Sequence, residues 1–185
     1  MVKIKHSNCA DDVAREIRAR RGILRFALYV LHGTVCALGI GSVAASLQIR
    51  GWAPVGIFPV LSGIVLGFVL FPAALIAGLD SRSRLITTTV AFALMLVAFE
   101  HLFLYKGFRQ QWRAARENNA QISLFRDEEP WSPAEYFVRE ITPMRALLWS
   151  LDAVLITSGA VATVLIWPWF ISRNDETRVA SDAAK

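Results

Sequence analysis

The chain has 185 residues, 55% of them hydrophobic and 19% charged, with a mean hydropathy of +0.43 and a formal net charge of +5. A soluble domain carries about 25% charge, so these figures exclude a soluble globule and a disordered chain, and the two cysteines, Cys9 and Cys36, are too few for a disulfide-stapled module. The class is membrane protein: at about 20 apolar residues per crossing, the length holds four spans, one loop and two short tails, with no room for a large catalytic domain.

Residues 1–23 form a basic segment in which Asp11, Asp12 and Glu16 precede Arg18, Arg20 and Arg21, an order that suits a short helix by its dipole. The first span covers 24–49 and carries no charge from 26 to 49. Small residues around Ser42 and Ala44 imitate a signal cleavage site, but signal peptides use apolar runs of about 7 to 15 residues, so this segment reads as an uncleaved anchor. The second span, 53–79, contains Pro59 and Pro72; each lacks an N–H, and a kink is expected near Pro72.

The third span, 85–105, is apolar until Glu100 and His101, and its helix is expected to continue to about residue 118, because Phe108, Arg109, Trp112, Arg113 and Arg116 follow at helical spacing. Within the loop, 106–145, an acidic break at 127–130 is followed by Ser132-Pro133-Ala134-Glu135, a capping box with proline at the first helical position. A short helix is therefore predicted over 133–141, with Ala134, Phe137, Val138 and Ile141 on one face, ended by Thr142-Pro143. The fourth span, 146–171, holds one charge, Asp152, between Trp149 at one end and Trp167, Trp169 and Phe170 at the other, an arrangement like two aromatic belts. A polar tail, 172–185, completes the chain.

In lipid every backbone donor and acceptor must be paired within the segment, so runs of this length are helices, and none alternates as barrel strands do. The expected fold is an all-α, integral membrane four-helix bundle with a short interfacial helix between spans three and four. Gly63/Gly67, Ala37/Gly41 and Ser158/Ala162 have the spacing that lets membrane helices approach closely, read here as packing within the bundle.

Seven basic residues precede the uncharged run that begins at 26 and one, Arg50, follows it, so the positive-inside rule places the N-terminus in the cytoplasm. Four full crossings then put twelve basic residues inside, with both termini and the turn at 80–84, and eight outside, seven of them in the 106–145 loop. A re-entrant second span would move that loop inside and change the balance to fourteen against six. The sequence pI of 9.7 is read through this orientation signal, and nucleic acid is not among the expected partners. Sixteen arginines against four lysines suggest a bacterial cytoplasmic (inner) membrane.

The sequence contains no phosphate-binding glycine loop, no zinc spacing and no nucleophile elbow, so no cofactor, metal or catalytic residue is assigned. Ionisable side chains within the hydrocarbon are costly and mark sites by default. Counted at 1.5 Å per residue, Glu100, His101 and Asp152 fall level on antiparallel helices. They form the candidate intramembrane cluster, expected to link spans three and four through a shared proton or hydrogen bond. The leading function is an accessory subunit or scaffold in the bilayer, binding a protein partner, lipid or a second copy of itself. The alternative is an oligomeric transporter or channel using Glu100 and Asp152, and a more remote one a lipid-modifying enzyme.

Overall fold

A computed structural model describes residues 7–52, 56–79, 81–117, 132–140 and 142–183. They form five helices: α1 (Ser7–Ile49), α2 (Ile57–Ala77), α3 (Arg82–Glu117), α4 (Pro133–Glu140) and α5 (Pro143–Ala183). Four contain stretches long and apolar enough to cross a membrane, Ala19–Ile49, Ile57–Ala77, Arg82–Ala114 and Pro143–Trp167. The protein is thus an all-α, polytopic membrane protein with a short helix between its third and fourth spans. Its outward faces carry Leu31, Val35, Val43, Ile57, Leu61, Val65, Ile76, Leu94 and Val154, all exposed in the isolated chain, and such a surface is stable only against lipid.

The basic segment ahead of the first span is not a separate short helix. α1 is continuous from Ser7, because no proline interrupts it and Arg20 pairs with Glu16 one turn back at 2.7 Å. At the other end of the chain, α5 continues through the polar stretch to Ala183. α2 remains one helix of 21 residues with Pro72 inside it, about 31 Å long and sufficient to cross.

Two glycines stop the helices in the same way. Gly51 and Gly78 adopt φ of 71° and 73°, a left-handed conformation that costs a residue with a Cβ. After α1, the N–H groups of Gly51 and Trp52 return to the carbonyls of Gln48 and Leu47 at 2.9 Å; after α2, those of Gly78 and Leu79 return to Leu75 and Ala74 at 3.1 Å. Both are Schellman closures, which end each helix at its glycine.

Contacts run around the bundle in the cyclic order α1, α3, α5, α2, with little across the diagonals. α1 and α3 are parallel: Tyr29 meets Thr88 toward one end, and Gln48 meets Glu100 toward the other. α2 and α5 are parallel as well, with Gly63 against Ile156 and Phe68 against Trp167. These two seams are made by small residues. A Cβ on Gly41 would lie 3.1 Å from the Leu96 oxygen and the Glu100 nitrogen, and one on Gly159 would lie 2.8 Å from the Val60 oxygen. Gly63 has no space for a Cβ against the Ile156 carbonyl. Close backbone approach of this kind replaces the hydrophobic driving force that lipid removes.

The Gly63/Gly67 and Ala37/Gly41 pairs thus pack inside the bundle, whereas Ser158 and Ala162 are exposed. On α5 the packed positions are Gly159, Ala160 and Thr163, one residue round from the spacing read in the sequence, and one residue is about 100° of helix rotation. Between the seams lies the apolar core of Tyr29, Leu66, Leu70, Phe92, Leu96 and Ile156. Hydroxyls within the spans are satisfied by their own helices: Thr34, Ser46, Ser150 and Thr163 each donate to the carbonyl four residues back at 2.8 Å.

α4 begins as its capping box requires. The Ser132 N–H donates to Glu135 Oε2 at 3.1 Å and the Glu135 N–H donates to Ser132 Oγ at 3.4 Å. Thr142 caps α5 by accepting the Arg145 N–H on Oγ1 at 3.3 Å. The side of α4 that meets the bundle carries Tyr136, whose ring lies 5.1 Å from Tyr105, the last residue of the sequence-read span, and 5.9 Å from Phe108 beyond it. Ala134 and Val138 point outward, Val138 with 73% exposure. Their apolar pair therefore faces away from the bundle, not onto it. The end of the α3 extension expected at residue 118, the acidic break, Trp131 and Ile141 lie outside the described residues, as does the side chain of Phe137.

Candidate functional site

The two acids within the described spans, Glu100 and Asp152, lie at one end of the bundle, where α1 finishes, α2 begins and α4 folds over α3. Glu100 sits on the α3 face that meets α1 and is 6% exposed. Its carboxylate accepts a hydrogen bond from Gln48 Nε2 of α1. Asp152, from α5, is close enough for the two acids to interact electrostatically, but among the described residues it has no hydrogen-bond or ion-pair partner.

His101, next to Glu100 on α3, turns toward α5, where its ring lies 4.5 Å from Trp149 at an interplanar angle of 45°. Trp149 is half-buried in this contact and does not simply sit in an outward belt. The three sequence-read residues therefore share one end of the bundle, in divided roles. Glu100 joins α3 to α1, His101 joins α3 to α5, and Asp152 faces open space. The hydrogen bond expected between Glu100 and Asp152 is made by Gln48 instead.

That open space is a cavity of about 450 Å³ with walls from all five helices. Gln48 comes from α1, Phe58 and Pro59 from α2, His101 and Leu104 from α3, Tyr136 from α4, and Arg145, Trp149 and Asp152 from α5. Glu100 is not among the lining residues. The α5 residues occupy one helix face, with Arg145 two turns closer to the helix start than Asp152, about 10 Å along the axis. Burial raises the Tyr136 phenol above its usual range, and the nearby Arg145 guanidinium partly opposes this.

Gln48, Tyr136, Arg145 and Trp149 were not singled out as site residues from the sequence. Gln48 carried a usable signal, since an amide near the end of an otherwise apolar span needs a partner. Nothing in the sequence indicates that Tyr136 would reach across to α3. Among the described residues no group of three metal-ligating side chains forms; His32 lies one turn from Cys36, with Nε2 3.6 Å from Sγ. No protein-family model matches the chain, and neither a curated protein nor a solved structure does.

Proposed function

We propose that this polytopic membrane protein acts by binding, as an accessory subunit or scaffold that holds a partner in or at the bilayer, and that its recognition end is the one formed by α4 and the cavity. The observation that carries this reading is that the acidic side chains within the described spans, Glu100 and Asp152, both lie at one end. Beneath the Glu100 level the interior closes with Leu66, Leu70, Ala93, Leu96, Ile156, Ala160 and Val164, each no more than 1% exposed, and the other buried polar residues described, Ser62 and Thr89, are uncharged. A conducting pathway needs polar groups or water through the whole thickness, and an enzyme needs several acids, bases or ligands converging on one reacting atom.

α4 supports the same reading, because its outward Ala134 and Val138 offer apolar contact to headgroups or a partner helix at the membrane surface. The protein is proposed to lie in a bacterial cytoplasmic membrane, with both termini inside and α4 outside, from the distribution of arginines. Reconstitution into vesicles together with co-purification from native membranes tests the function. Stable capture of a specific protein or lipid without ion or proton flux is expected. Flux that disappears in Asp152→Asn would replace this reading by transport.

A further inference from the structure

We infer that the cavity between Gln48, His101, Tyr136, Trp149 and Asp152 is a binding site for a small organic cation, an ammonium group carrying an apolar chain or ring. The inference rests on the reading of the protein as a binding protein and names the ligand class of its cavity.

Asp152 sets the charge. It is the one acid among the lining residues, it lies at membrane depth, and among the described residues nothing donates to it. Glu100, which interacts electrostatically with Asp152, adds a second acidic group while taking its own hydrogen bond from Gln48. An uncompensated carboxylate in such surroundings is costly, and a bound cation removes most of that cost. Arg145, the lining residue of opposite sign, is exposed and lies two turns nearer the start of α5, about 10 Å along the helix, and makes no ion pair with Asp152 among the described residues.

The other walls define the cation. Trp149 and Tyr136 are among the lining residues, and the rings of Trp and Tyr attract ammonium groups. Leu104, Leu148 and Pro59 supply apolar surface, which suits a hydrocarbon body and does not suit the hydration shell of a metal ion. At about 450 Å³, the volume falls in the range of about 300–1,000 Å³ typical of small-molecule sites.

The test is calorimetric titration of the purified full chain in lipid nanodiscs with benzyltrimethylammonium, alongside benzyl alcohol as neutral probe and benzenesulfonate as anionic probe. Saturable binding of the cation alone is expected, with affinity falling by about tenfold or more in Asp152→Asn. Leu148→Trp, which fills the cavity and leaves Asp152 in place, should also abolish binding. Asp152→Glu keeps the charge and should stay within about threefold of the native chain, less than one hydrogen bond's worth.

Each variant is compared at equal folded fraction, measured by thermal unfolding; should Asp152→Asn not fold, Leu148→Trp and Asp152→Glu decide. Preference for benzenesulfonate, undiminished cation binding in the Asp152→Asn or Leu148→Trp chain, or no saturable binding by the folded native chain would each overturn the inference. The two proposals fail separately. Loss of cation selectivity with a native partner still co-purifying removes only the ligand class. Cation binding accompanied by flux keeps the site and removes the scaffold reading.

Discussion

The amide of Gln48 on α1 donates to the carboxylate of Glu100 on α3, so the buried acid of the third span is held by a helix that carries no charge from 26 to 49. This bond pins the two parallel helices at one end, as the Tyr29 hydroxyl and Thr88 Oγ1, 3.1 Å apart, do toward the other.

Gln48→Leu should therefore destabilise the bundle by about 1–3 kcal/mol, the cost of leaving a buried polar group unpaired. The double variant Gln48→Leu/Glu100→Leu should recover most of that loss, because no orphan remains. Thermal unfolding in detergent checks both, and equal losses for the single and double variants would contradict the pairing.

Gly63→Ala should cost about 1–3 kcal/mol, since the new methyl meets the Ile156 carbonyl, a backbone atom that cannot turn aside. Gly39→Ala, where nothing lies within 4 Å, should be neutral or stabilise by about 0.4–1 kcal/mol through the unfolded chain. The contrast between the two melting temperatures is the measurement.

Asp152→Asn should raise stability by about 0.5–2 kcal/mol, because it removes a charge that has no ion-pair or hydrogen-bond partner among the described residues and lies beside a second acid. Ligand affinity and stability would then move in opposite directions at one residue, as expected of a group retained for binding.

Ser132→Ala should weaken the start of α4 by about 1 kcal/mol by removing the side-chain half of its capping box. Faster hydrogen exchange over 133–140, with the rest of the bundle unchanged, is the expected readout.

Single cysteines at Ser132 and Ser83, both exposed, placed in a chain lacking Cys9 and Cys36, should be labelled from opposite sides of the membrane. An impermeant reagent applied outside is expected to reach position 132 and spare position 83. The reverse pattern, with position 83 reached from outside and position 132 spared, would require a re-entrant α2.

The four spans and α4 were legible because they rest on local physics: uncharged runs long enough to cross, and a serine and a glutamate three residues apart beside a proline. The pairing of helices was less so. Ser158/Ala162 has the same spacing as Gly63/Gly67, yet only the latter is buried against another helix, because a spacing repeats around α5 and does not say which way it faces. The level placement of Glu100 and Asp152 followed from rise per residue, but depth alone does not reveal rotation. It could not tell that Glu100 would turn to Gln48 while Asp152 turned to the cavity. Tyr136 was hidden for a related reason, since its approach to Tyr105 and Phe108 depends on how the loop returns and not on any neighbouring residue.

The two glycine-built seams, α1 with α3 and α2 with α5, constrain how the protein can be made. Neither seam joins helices that follow one another in the chain, so a growing polypeptide cannot complete its packing one hairpin at a time. When α1 and α2 have entered the bilayer each still lacks its closest companion; α3 serves the first, and α2 must keep its glycine face in lipid until α5 arrives. Assembly is thereby tied to synthesis of the last span. A chain interrupted after α3 would carry an open small-residue groove that quality-control proteases or a second copy could engage.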